Sequence, residues 1–213
     1  MTITKEQIAK DLLSIRAVFL KPDDPFTWAS GIHSPIYCDN RLTLSAPAVR
    51  KDVEAGLAEI VNEKFPEAEM LMGTSTAGIA HAAITATILD LPMGYVRSGH
   101  KDHGRQNQIE GKMEPGTKVV VIEDLISTGG SVLEVVDVLR QAGAQVLGIA
   151  SIFTYGLQKG VERLAAADVV NYSLSDFDTL SKVAAAEGYI ADKDIAKLTA
   201  FQKNPQDPAW MKL

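Results

Sequence analysis

The chain has a single cysteine, Cys38, among its 213 residues, so no intrachain disulfide can form, which suits a reducing cytoplasm. It lacks any apolar run approaching the roughly 20 residues of a membrane-spanning helix. Its first stretch, MTITKEQIAKDLLSIRAVFL, carries Lys5, Glu6, Lys10 and Asp11 among the apolar residues, which excludes a signal peptide. Positive charge is also in deficit. A net charge of -6 argues against electrostatic binding to nucleic acid or to an anionic membrane. No linker, low-complexity tract or internal repeat divides the chain. What remains is ordinary globular material, 46% hydrophobic and 23% charged, long enough to bury a core without a metal or disulfide. The expectation is a soluble cytoplasmic protein folded as one domain over residues 1–213.

Thr4 to Gln7 fits a capping box, and Ile8, Leu12, Ile15 and Phe19 follow at helical spacing, predicting a helix that ends before Lys21-Pro22. FTWASGIHSPIYCDNR, Phe26 to Arg41, reads as short strands and turns. Ser45 to Phe65 returns to helical period. Met70 to Gly73 then reads as a buried strand, Thr76 to Leu89 as a helix and Met93 to Arg97 as a strand. Residues 98–117 form a polar stretch without periodicity, long enough to predict a functional or mobile loop. Beyond it, strands at Lys118–Ile122, Gln145–Phe153 and Asp168–Ser173 alternate with helices at Ser131–Ala142, Gly156–Ala166, Ser175 to Gly188 and about Asp192 to Lys203. This alternation predicts an α/β fold with a central, mostly parallel sheet flanked by helices.

The most informative stretch is VVVIEDLISTGGS, Val119 to Ser131. Four aliphatics end on two adjacent carboxylates, Glu123 and Asp124, followed by a small polar turn that opens a helix. Ligands of open α/β sheets sit beyond the carboxyl ends of strands. Unpaired N–H groups at the following helix start, with the hydroxyls of Ser127, Thr128 and Ser131, suit a phosphate. The acids repel a phosphate but suit hydroxyl donors or a hydrated Mg²⁺. Ribose 5-phosphate would satisfy both halves. The plainer alternative is a strand-to-helix turn with solvated acids. GTSTAG, Gly73 to Gly78, has Walker-like glycine spacing, but Ile79 stands where lysine belongs, and no Gly-x-Gly-x-x-Gly follows a strand.

The 13-residue motif resembles the phosphoribosyl-pyrophosphate (PRPP) signature of the type I phosphoribosyltransferases. Within YVRSGHKDHG, Arg97, Lys101 and His103 form an Arg-x-x-x-Lys-x-His-Gly pattern similar to the catalytic loop of the orotate phosphoribosyltransferases. FTWASGIHSP is similar to that family's N-terminal hood. Three basic groups on a loop suit a pyrophosphate gaining charge as it departs.

The resemblance implies the type I phosphoribosyltransferase fold, with a hood over about residues 1–44, and transfer of phosphoribosyl from PRPP to orotate. It implies that Glu123 and Asp124 contact ribose hydroxyls. Leu125, Ile126, Ser127, Thr128, Gly129, Gly130 and Ser131 would complete the PRPP loop, with the 5-phosphate held from Ile126 onward. Arg97 would lie beside the pyrophosphate. Ser127 would also bind orotate, and Lys101 and His103 would act catalytically in the neighbouring subunit of a homodimer. Mg²⁺ would be held mainly by PRPP and water. Cations common in the family are replaced here at Ala29, Ala77, Ser98 and Tyr155; His33, Lys112 or Arg41 are candidates to compensate. The rival readings are a PRPP-sensing regulator and a purine or uracil phosphoribosyltransferase. His81 and Cys38 are expected to be packed core residues.

Overall fold

The computed structural model describes residues 2–28, 31–97, 99 and 108–213. The chain opens with helix α1 (Lys5–Ser14), capped by the Thr4 hydroxyl, which accepts from the Gln7 N–H. Short strands follow: β1 (Val18–Leu20), β2 (Phe26–Thr27), β3 (His33–Ser34) and β4 (Ile36–Cys38). A 3₁₀ turn (Asn40–Ser45) leads into α2 (Pro47–Lys64). Then come β5 (Met70–Thr74), α3 (Ala77–Leu89), β6 (Met93–Val96), β7 (Ile109–Glu110), β8 (Lys118–Ile126) and α4 (Gly130–Gln141). The chain continues through β9 (Gln145–Thr154), α5 (Gln158–Ala166), β10 (Asn171–Asp176), α6 (Phe177–Ala186) and α7 (Asp194–Lys203), ending in a 3₁₀ turn (Pro208–Lys212).

Six strands form the central sheet in the order β10-β9-β8-β5-β6-β7, parallel except for the last pair. Because side chains alternate along a strand, β8 feeds two cores. Val120 and Ile122 join Leu57, Leu71 and Ile152 on one face, while Val119 and Val121 join Met72, Val136 and Leu139 on the other. From β5 the chain moves outward to β6, and from β8 it moves the opposite way through β9 to β10. The neighbours β5 and β8 therefore flank the point where the connections diverge, the crevice in which sheets of this type bind ligands.

Three expectations need correction. The first helix stops at Ser14, not near Phe19, because Arg16 takes a left-handed φ of 57°. Arg16 and Ala17 then return their N–H groups to the Leu13 and Leu12 carbonyls, a Schellman closure, and Val18–Leu20 pair antiparallel with β4. Asp168, at φ 49°, closes α5 in the same way, so the strand expected from Asp168 starts at Asn171 and runs to Asp176. The polar stretch after Val96 contains β7, whose Ile109 pairs with Val96.

The short N-terminal strands rest on the C-terminal elements through aromatic rings. Trp28 stacks on Tyr155 at 5.3 Å and meets the edge of Phe201 at 5.8 Å, and Phe201 packs on Trp210 at 5.6 Å. Among the described residues, no helix is long and apolar enough to cross a membrane.

Candidate active site

Strand β8 runs four residues further than its aliphatic core suggested, so Glu123 and Asp124 belong to the strand's carboxyl end. Glu123 is 5% exposed. Its Oε1 accepts two hydrogen bonds, from Thr74 Oγ1 and from the Asp124 N–H, both at 2.8 Å. Burial, followed by the hydrogen bond and charge of Asp124, pushes the Glu123 carboxyl up to about 8. At neutral pH it therefore carries a proton for much of the time, and a hydroxyl-rich ligand or a cation would shift it toward the anion.

Thr74 reaches Glu123 because β5 and β8 are paired with Gly73 opposite Ile122, and α3 lies close over both strands. A Cβ on Gly78 would stand 2.4 Å from both the Ile122 carbonyl oxygen and Thr74 Oγ1, so only glycine permits this approach. The Ser75 hydroxyl donates to the Val96 carbonyl at 2.5 Å and ties the GTSTAG segment to β6. As a result Thr74, Ser75, Thr76 and Ala77 share a cleft of about 310 Å³ with Arg97, Glu123, Asp124, Leu125 and Ser131. Arg97 pairs with Glu110 at 3.1 Å and places a guanidinium at the rim.

On the far side of the acids, Gly129 takes φ 73° and turns the chain into α4, whose first turn has no side-chain cap. Its leading N–H groups thus face outward at the positive end of the helix dipole. Helix α5 supports this loop: Arg163 Nη1 donates to the Thr128 carbonyl at 3.4 Å, and Gly160 lets the Ser127 carbonyl approach closely. Ser127 and Thr128 open onto a second cavity of about 710 Å³ walled by Trp28, Ile32, Leu157 and Lys203. Ile126 is buried, and its carbonyl accepts from the Tyr155 N–H at 2.9 Å.

The structure thus gathers Arg97, Glu123, Asp124, Leu125 and Ser131 around one cleft and Ser127 and Thr128 beside it. Lys101 and His103, with Ala29, Ser98 and His100, lie outside the described residues. Tyr155 is 4% exposed and held between Trp28 and Phe153, so its position supplies no cation to the cleft. Arg41 is engaged by Asp39 at 2.6 and 2.7 Å, and Lys112 pairs with Glu114 at 2.9 Å. Two residues escaped the sequence reading, Thr74 and Asn40, whose Nδ2 donates to the Asp124 carbonyl at 2.7 Å. Thr74 was legible only as part of a glycine-rich segment, and nothing in CDNR marks Asn40. Among the described residues no three His, Cys, Asp or Glu side chains gather to cage a metal. Two adjacent carboxylates fit a magnesium ion that brings its other oxygen ligands from phosphates and water.

An acid-tipped strand, an uncapped helix start and a glycine-rich partner strand thus meet at one cleft. Residues 43–181 match the family model described as a phosphoribosyl transferase domain. The chain is 60% identical over 210 residues to the orotate phosphoribosyltransferase of Bacillus subtilis, covering 99% of this chain and 97% of that protein. The Bacillus cytotoxicus protein of the same name is 59% identical over 97% of this chain and 99% of its own length. The crystal structure of orotate phosphoribosyltransferase from Aeropyrum pernix superposes with a TM-score of 0.74 at 29% identity, over 86% of this chain and 99% of that one. Leishmania donovani UMP synthase gives 0.80 at 25% identity over 93% of this chain, which spans 42% of that longer protein. The chain belongs to the phosphoribosyltransferase family, on the orotate phosphoribosyltransferase branch.

Proposed function

We propose that the chain transfers the phosphoribosyl group of PRPP to orotate, releasing pyrophosphate and forming orotidine 5-monophosphate, a step of pyrimidine nucleotide synthesis. The observation that carries this reading is the adjacent pair of acids, buried Glu123 and half-buried Asp124, with Glu123 bonded to Thr74 across the divergence of β5 and β8 and the pair set beside the uncapped start of α4. It combines a hydroxyl-binding half with a phosphate-binding half. The choice of orotate rests on likeness to the Bacillus proteins over nearly the whole chain.

In this reading Glu123 and Asp124 take the ribose hydroxyls, and the loop from Ile126 to Ser131 takes the 5-phosphate. Arg97 lies beside the pyrophosphate, and Ser127 hydrogen-bonds orotate. The anomeric C–O bond to pyrophosphate breaks as a ring nitrogen of orotate forms its bond to the same carbon, and the proton on that nitrogen passes to the departing pyrophosphate or to solvent. Positive charge grows on the sugar and negative charge on the leaving group, so the chain's task is to position and to stabilise charge. Lys101 and His103 meet the departing pyrophosphate and, by closing over it, exclude the water that would hydrolyse PRPP. Mg²⁺, carried largely by PRPP and water beside the two carboxylates, neutralises phosphate charge when bound.

We place the enzyme in the cytoplasm as a homodimer, with Lys101 and His103 serving the neighbouring subunit. Helix α3 supports a dimer: AGIAHAAITATIL carries no Asp, Glu, Lys or Arg, and Ile88 is 53% exposed, an uncharged surface that suits a second copy. The functional test follows orotate absorbance in the presence of PRPP and Mg²⁺, beside uracil, hypoxanthine and adenine. Loss with orotate alone is the expected outcome. Turnover of a purine or uracil instead would replace the substrate, and tight PRPP binding without turnover of any base would make the protein a sensor.

A further inference from the structure

The acid pair is also held from behind, by groups that face no cleft. Asn40 Nδ2 donates to the Asp124 carbonyl at 2.7 Å while its Oδ1 accepts from the Cys38 thiol at 3.2 Å. The carbonyl of Asn40 accepts from Thr43 Oγ1 at 2.6 Å. Thr43 Oγ1 in turn faces His81 Nε2 at 3.5 Å, and His81 Nδ1 lies 2.7 Å from Glu54 Oε1. Thr85 donates to Glu54 Oε2 at 2.8 Å.

Asn40, Thr43, Glu54, His81 and Thr85 are each 1% exposed or less. A buried polar chain of this kind stabilises a fold poorly compared with apolar residues of the same volume. Its value lies in geometry. The two peptide groups flanking the Asp124 Cα are both fixed, one through its N–H to Glu123 Oε1 and the other through its carbonyl to Asn40. Pinning both planes sets the direction in which the Asp124 side chain leaves the strand, which is how a binding carboxylate is organised before its ligand arrives. The chain of bonds also joins α2 and α3 to the turn after β4, so the N-terminal segment and the acids keep one relative placement.

We propose that Asn40 is a positioning residue for the Glu123–Asp124 pair, and that the Glu54–His81 pair, through Thr43, fixes the turn from which Asn40 reaches. This rests on the acid pair being the element that takes the ribose. Asn40→Ala removes the tether, Thr43→Val removes only the hydroxyl at nearly constant shape, and Thr43→Ser restores it.

The measurement is kcat and KM for PRPP and for orotate on folded protein well below its melting temperature, with PRPP affinity measured separately by calorimetry. Asn40→Ala is expected to lower kcat/KM for PRPP at least tenfold while KM for orotate stays within twofold. Thr43→Val should move PRPP kinetics the same way by a smaller factor, and Thr43→Ser should return them to within twofold of wild type. A purely structural role would lower the melting temperature of the variants and leave KM for PRPP in place. Asn40→Ala and Thr43→Val proteins with wild-type PRPP constants would overturn the proposal, and the Thr43 pair decides alone where Asn40→Ala does not fold. If the wild type fails to use orotate, the functional reading falls. PRPP affinity still decides the positioning role: loss in the variants upholds it and retention overturns it.

Discussion

Replacing Gly78 by alanine tests the close packing on which the site depends. The new Cβ would stand 2.4 Å from the Ile122 carbonyl oxygen and 2.4 Å from Thr74 Oγ1. That is roughly 1 Å inside a comfortable separation of about 3.5 Å. Ile122 cannot yield, because β8 is hydrogen-bonded to β5 on one side and to β9 on the other. Thr74 can rotate only by giving up its 2.8 Å bond to Glu123. Helix α3 must therefore lift, at about 1–3 kcal/mol for overpacking. Alanine returns up to about 1 kcal/mol as a better helix former. A net loss of about 1–2 kcal/mol lowers the melting temperature by roughly 2–8 °C in a chain of this length. Activity should fall further than stability, since an error of about 1 Å in a binding group can lower rates by about 100-fold. Thermal melting and kcat/KM for PRPP on the same preparation give both numbers. A variant that melts within 1 °C of wild type and keeps its PRPP kinetics would refute the argument, for α3 would then have room the geometry denies it.

Other perturbations follow the same logic. The carboxyl of Glu123, at about 8 in the folded chain, binds a proton more tightly than in the unfolded chain, where 4.5 is its ordinary value. Its stabilising effect is therefore full below about 4.5 and disappears as pH rises through 8, amounting to a few kcal/mol. Urea midpoints from pH 5 to 9 should fall for wild type more steeply than for Glu123→Gln; parallel curves would contradict the shift. Trp28→Ala deletes the stack on Tyr155 and the edge contact with Phe201. About 3 kcal/mol, or roughly 6–12 °C of melting temperature, should be lost. Lys101→Ala alone and the Glu123→Ala, Asp124→Ala double variant alone should both be inactive. Mixed and refolded together they should regain activity, because one site of each hybrid dimer combines intact acids with an intact partner lysine; no recovery would place Lys101 in its own subunit's site.

Periodicity and turn chemistry exposed most of the framework. The capping box at Thr4 stands where the pattern put it, and the helix expected over Ser175 to Gly188 is α6, closed by Gly188 at φ 77°. The end of the first helix escaped, because Arg16, which closes it, adopts a left-handed φ that its side chain does not signal, whereas α3 and α5 end where their periodicity stops, at Leu89 and Ala166. The acid pair and the small polar turn after it were legible as a strand end and a helix start because one contiguous segment carries them. Thr74 and Asn40 were not, since each becomes part of the site only when the sheet brings separated segments together, 49 residues apart for Thr74 and Glu123 and 84 for Asn40 and Asp124. The reach of α3 over β5 and β8 depends on Gly78, whose role is visible only through the space its missing side chain leaves.

The most direct measurement is the stoichiometry of products from PRPP and orotate with Mg²⁺, read as pyrophosphate and orotidine 5-monophosphate in the same reaction. The account predicts equal amounts of the two from wild type and neither from the Glu123→Ala, Asp124→Ala double variant. Pyrophosphate without the nucleotide would mean hydrolysis of the activated sugar, and undiminished turnover by the double variant would remove the acid pair from the chemistry.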